Sequence, residues 1–122
     1  MKTSEKSILQ CLVRFVPGLG SGITLRSKQS LFALLVALLI KRAYESGYEV
    51  TFGDAWARDG HRENSLHYIR LAIDLNLFRD GEYLDQSDAH QYLGEYWESL
   101  GGSWGGRWGD GNHYSMEHEG QK

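Results

Sequence analysis

The segment from Leu31 to Ile40, LFALLVALLI, sets ten apolar residues in a row between Lys28 and the pair Lys41-Arg42. As a helix this run rises about 15 Å, only half of a bilayer's hydrocarbon core of about 30 Å. A buried helix is therefore the favoured reading over a membrane-associated segment, and the rest of the chain must supply the core around it. Thr24 or Ser27 can cap its start and Gly47 can stop it, so the sequence predicts a helix over about 26–46. A chain of 122 residues buries roughly two thirds of its unfolded surface, enough for one core, and a single folded domain is expected.

Charge narrows the partners. With 13 Lys+Arg against 16 Asp+Glu and no dense basic block, the chain has no field to hold nucleic acid or an anionic membrane. The single cysteine, Cys11, cannot form an internal disulfide, which suits a reducing cytoplasm, and it reads as a small buried hydrophobe. Residues 1–24 read as an N-terminal extension with a glycine hinge at Pro17-Gly18-Leu19-Gly20. Its apolar residues are broken by Arg14, unlike the continuous stretch of a signal peptide.

Beyond the helix the periodicity changes. Tyr48 to Phe52 alternates and reads as a strand, and residues 54 to 64 are polar and loop-like. Leu71 to Phe78 then alternates for four periods, putting Leu71, Ile73, Leu75 and Leu77 on one face and Ala72, Asp74 and Asn76 on the other. Asp80-Gly81 predicts a tight turn, with a return strand at Tyr83-Leu84. Ser87 to Leu100 has helical spacing with Gly94 as a tolerated flaw, and Tyr92, Tyr96 and Trp97 are expected in the core. Residues 101 to 111 hold six glycines and two tryptophans. His113 to Met116 is a short strand, and the tail from Glu117 is expected to fray.

The candidate chemistry lies in five histidines. His67 precedes Asp74 by seven positions, and His113 follows Asp110 by three. Two imidazoles and a carboxylate are the ligand set of a catalytic zinc, with one position left for water, and a further carboxylate nearby can move protons. Neither HExxH nor paired CxxC is present, so from spacing alone a metal site and ordinary loop histidines both remain open. His61 and His90 read as solvated, and His118 as lying away from the others.

The pattern Ser65-x-His67-x-x-x-x-Ala72-x-Asp74, followed by an acidic residue three before a histidine, resembles the signature SxHxxGxAxD plus (E/D)xxH of the VanX/VanY-type zinc peptidases. These include D-Ala-D-Ala carboxypeptidases and phage endolysins that cut the L-alanyl-D-glutamate bond of peptidoglycan. Thr51-Phe52-Gly53-Asp54, Ser65-Leu66-His67, Leu71 to Phe78 and Trp104-Gly105-Gly106 look like phage members. The likeness runs through Leu25 to Gly120, about 95 of the 122 residues.

The resemblance implies an α+β fold, a small antiparallel sheet bearing the zinc site with helices packed on one side. It makes residues 25–120 the peptidase domain and 121–122 a tail. His67, Asp74 and His113 become ligands of one Zn2+, Asp110 the general base, and Ser65 the residue orienting the His67 loop. An upstream arginine assists the scissile carbonyl in this family; Arg58 carries over to that role, with Arg62 as the alternative. Trp104 and Trp108 either line the substrate groove or pack back on the domain. Two departures stand out. Arg70 occupies the glycine position of the signature, so the turn differs or Arg70 faces substrate. Asp110 replaces the carboxypeptidases' glutamate, as in phage-type members.

The implied function is hydrolysis of a stem-peptide bond of peptidoglycan, L-alanyl-D-glutamate first and D-Ala-D-Ala as the alternative. A non-catalytic zinc-containing wall-binding module is the reading from another class. The expected protein is a monomer without stable membrane insertion, made in the host cytoplasm and reaching the wall after release.

Overall fold

A computed structural model describes residues 24–122. The N-terminal extension, with Cys11 and the glycine hinge, lies outside the described residues.

Helix α1 spans Leu25–Glu45, and the Thr24 hydroxyl accepts the Ser27 N–H at 3.0 Å to cap it. Its apolar run packs into the core because the positions of the run left exposed are alanines. Phe32, Leu35, Val36, Leu38 and Leu39 are buried, while Ala33 and Ala37 face solvent. Gly47, at φ +88°, takes the left-handed conformation that ends the helix and turns the chain into β1, Glu49–Phe52. Among the described residues no helix is long and apolar enough to cross a membrane.

The alternating run forms β2, Ala72–Arg79, the centre of an antiparallel sheet. Its C-terminal half pairs with β1, and its end turns through Asp80-Gly81 into β3, Glu82–Tyr83. Its N-terminal half pairs with β5, His113–Ser115, in a register that sets Asp74 directly opposite His113. The short β4, Ser103–Trp104, adds to the far side of β5, giving the order β1-β2-β5-β4.

A 3-10 turn at Ser87–His90 leads into α2, Gln91–Ser99, which packs on α1 and β4. Leu71, Ile73, Leu75 and Leu77 enter the core with the helices, as the alternation predicts, and Asp74 and Asn76 project from the other face. Trp97 sits at the centre, fully buried. Its indole N–H donates to Ser115 O at 2.9 Å and Ser103 O at 3.1 Å, and its ring meets Phe32 and Tyr114 edge-on. This is the α+β arrangement expected. Tyr96 packs partly against that core, whereas Tyr92 is exposed on the outer side of α2, contrary to expectation.

Gly94 is not a flaw. A Cβ there would fall inside the Trp104 indole, and a Cβ at Gly106 would do the same, so one glycine of α2 and one just after Trp104 make the slot for the ring. The tail also departs from expectation. His118 and Gln121 exchange backbone hydrogen bonds, and Lys28 Nζ reaches His118 Nδ1 at 3.1 Å, tying the tail to α1.

Candidate metal centre

Two strands and one turn bring three potential ligands together. Asp74 and His113 face each other across β2 and β5 because an antiparallel pair in register puts opposed side chains on one face. His67 comes from a single 3-10 turn, Leu66–Ile69, just before β2. Ser65 starts that turn: its hydroxyl accepts the His67 N–H at 3.2 Å and so holds the His67 backbone. Arg70 ends it at φ 58°, ψ 37°. That conformation is why a glycine suits this position in the signature; the arginine adopts it anyway and lays its guanidinium 4.7 Å from the Trp56 ring.

Asp74 Oδ1 lies 3.3 Å from His67 Nε2 and 3.5 Å from His113 Nδ1, and one ligand atom from each of the three residues lies within 4.8 Å of the others. Donors about 2.0–2.2 Å from one tetrahedral zinc stand about 3.3–3.6 Å apart, so the two measured separations match. His67 and His113 are buried, and Asp74 keeps 21% of its side chain exposed. Among the described residues Asp74 Oδ1 is a buried atom without a hydrogen-bond partner, and so are His67 Nδ1 and His113 Nε2, the ring nitrogens turned away from it. An unpaired buried carboxylate oxygen is costly, and one on which two imidazole nitrogens converge suits a cation. Burial alone would raise the Asp74 pKa; polar contact with His113 and His67 and the charge of both rings outweigh it and bring it to about 2. The ligand carboxylate is therefore ionised over the whole working range.

The cluster opens into a cleft of about 300 Å³ lined also by Asp110, Trp108, Arg62, His61 and Lys122. Asp110 is held by a short turn: its N–H donates to Gly105 O at 2.9 Å, and its carbonyl accepts the His113 N–H at 3.1 Å. Gly105 is required there, because a Cβ would collide with the Asp110 carbonyl and the His113 side chain. The exposed Asp110 side chain and the His113 ligand thus rise from one bend.

Several sequence-based assignments change. Arg58 is exposed and does not line the cleft; Arg62 does, its guanidinium donating to Lys122 O at 3.3 Å. Of the two tryptophans, Trp108 is half-exposed at the cleft with its ring 5.8 Å from that of His113. Trp104 does not reach it. It is buried in its glycine slot with its indole N–H on Gly111 O at 2.7 Å, and its role is to hold the loop.

His61, expected to be solvated, stacks on His67 at the cleft wall, with centroids 4.3 Å apart. His90, also expected in solvent, is buried against the Tyr114 hydroxyl at 2.7 Å; burial pushes its pKa down to about 4. The same burial pushes the Tyr114 phenol up. No spacing signal marks either histidine, since both meet their partners through tertiary packing.

Comparison with curated proteins gives no match. Residues 58–116 match a protein family described as D-alanyl-D-alanine carboxypeptidase, a span that contains His67, Asp74, Asp110 and His113. Over that span the chain is similar to the VanX/VanY-type zinc peptidases, and the match supports that family.

Proposed function

We propose that this protein is a zinc-dependent phage-type peptidase that hydrolyses the L-alanyl-D-glutamate bond of peptidoglycan stem peptides. The observation that carries the reading is the convergence of His67, Asp74 and His113, around the unpaired buried Asp74 Oδ1, on a cleft that also holds the carboxylate of Asp110. The aspartate at 110, where carboxypeptidases of the family carry glutamate, favours the phage-type substrate.

The three residues would hold one zinc ion, which supplies an activated water and a polarised carbonyl when bound. Asp74 brings the negative charge of the ligand set. Asp110 accepts the proton of the attacking water and returns it to the leaving nitrogen, so that the amide departs as a neutral amine. Arg62, at the cleft, takes the electrostatic part first assigned to Arg58 and draws in the substrate's carbonyl or carboxylate oxygen. Trp108 gives the alanyl methyl an apolar wall.

A digest of purified muropeptides with and without a zinc chelator tests this. The expected product is a peptide with a new D-glutamyl N-terminus, lost on chelation. Release of single D-alanine would favour the second reading, a D-Ala-D-Ala carboxypeptidase, which the description of the matched family supports. Binding to the wall with no bond cut would overturn both in favour of a binding module. Asp110→Asn should keep zinc and lose turnover by at least about a hundredfold.

A further inference from the structure

A histidine that binds metal ordinarily uses its other ring nitrogen to donate to a carboxylate, a carbonyl or water, and that bond fixes the ring. Among the described residues neither imidazole of this cluster finds a protein group for that bond. His67 faces Asp74 with Nε2 and His113 with Nδ1, while His67 Nδ1 and His113 Nε2 are buried without a hydrogen-bond partner. The His67 ring is held instead by a flat neighbour: the His61 imidazole lies on it with centroids 4.3 Å apart and planes inclined by 22°.

His61 is fixed in turn at three points. Its Nε2 is 2.8 Å from Asp54 Oδ2, its N–H donates to the Tyr68 hydroxyl at 2.8 Å, and that hydroxyl donates to the His61 carbonyl at 2.6 Å. Asp54 completes a circuit, because its backbone carbonyl accepts the N–H of Asp74 at 2.9 Å. A continuous chain of contacts therefore runs from the backbone of one ligand, through Asp54 and His61, to the ring of another.

We propose that His61 is a positioning residue for the metal: its ring, clamped by Asp54 and Tyr68, sets the His67 imidazole at the orientation in which Nε2 meets the ion beside Asp74 and His113. The role needs a flat ring at that place, not a proton on it. It rests on the zinc reading of the cluster.

The full chain, stripped of metal, would be titrated with zinc against a chromophoric chelator, and with Co2+ while its visible absorption is recorded. His61→Ala should weaken zinc by about tenfold to a hundredfold and alter the cobalt bands, with the melting temperature of the metal-free chain unmoved. His61→Phe, which keeps the slab and loses the Asp54 contact, should restore affinity to within about threefold and return the wild-type cobalt spectrum. Wild-type affinity in His61→Ala would overturn the proposal, and so would an equal loss in His61→Phe and His61→Ala. Should His61→Ala not fold, Tyr68→Phe removes both hydrogen bonds to the His61 backbone and should still cost about threefold to tenfold; unchanged affinity there overturns the clamp. A wild-type chain that takes up no zinc overturns both this inference and the zinc reading, whereas zinc uptake insensitive to His61 sinks this inference alone.

Discussion

Two segments with little regular structure flank the metal cluster, and they are held by opposite means. Residues 101–112 are fixed by shape: Trp104 is buried between Gly94 and Gly106, and Gly105 lets the chain close on Asp110 and His113. Residues 54–65 lie mostly on the surface and are fixed by polar bonds, chiefly the Tyr68 hydroxyl on His61 and the Asp54 carboxylate on the same residue. The first segment carries the proposed base and leads directly into His113, and both must be placed to a fraction of an ångström. The second carries the residues that brace a ligand from outside and face incoming substrate. Close packing supplies placement, and exposed hydrogen bonds leave room for adjustment.

The contrast can be broken most directly with one tryptophan from each segment. Trp104→Ala should remove about 3–5 kcal/mol of stability, read from denaturant unfolding of the metal-free chain, because it empties a slot lined by backbone that cannot collapse. Trp56→Ala, on the polar segment, removes a half-exposed ring whose main partner is the Arg70 guanidinium and should cost at most about 1 kcal/mol. Equal losses in the two variants would mean that both segments are held in the same way.

A pH series sharpens the packed side further. His90 lies beneath the glycine-rich segment, sharing a small polar cleft with Asp110 and Gly111. Its pKa is lowered by burial from 6.5 to about 4, so the native state stays neutral where the unfolded chain takes up a proton. Stability from this group is therefore intact above pH 6.5 and falls as the pH drops toward 4, by about 3 kcal/mol over that window. His90→Gln, which can still reach the Tyr114 hydroxyl, should flatten the slope. A slope unchanged by that substitution would place the acid sensitivity elsewhere.

How much of this was legible in the sequence follows from the range of the interactions. The alternation of Leu71 to Phe78 reports one residue's environment at a time, and it assigned the faces of β2, including the side on which Asp74 projects. The His67, Asp74 and His113 set was reached through a motif whose spacing reflects one turn and one strand pair. Trp104 was left between groove and core, and His61 was misread, because their partners are remote or irregular. Gly94 and Gly106 shape one slot from α2 and from a loop, and His61 meets His67 through a bend with no periodicity. The glycines on both sides of Trp104 were the available sign, since a ring flanked by residues without side chains is a ring that backbone approaches. The choice between Arg58 and Arg62 stayed open for a similar reason: only the path of the loop decides which arginine turns to the cleft.

The smallest expected effect concerns the residue that breaks the family pattern. Arg70 holds a left-handed conformation that costs a residue with a Cβ about 1–2 kcal/mol, and its stacking on Trp56 returns about 0.5–1 kcal/mol of that. Arg70→Gly removes both the strain and the stacking and adds the flexibility of glycine to the unfolded chain, so its stability should stay within about 0.5 kcal/mol of the wild type. Arg70→Ala loses the stacking and keeps the strain. Glycine should therefore be the more stable of the two variants, by about 0.5–1 kcal/mol, the reverse of the order found at ordinary exposed positions. If alanine is instead the more stable, the turn that carries His67 does not need its left-handed residue. The polar segment's hold on the ligand then begins at His61 rather than at the chain's own bend.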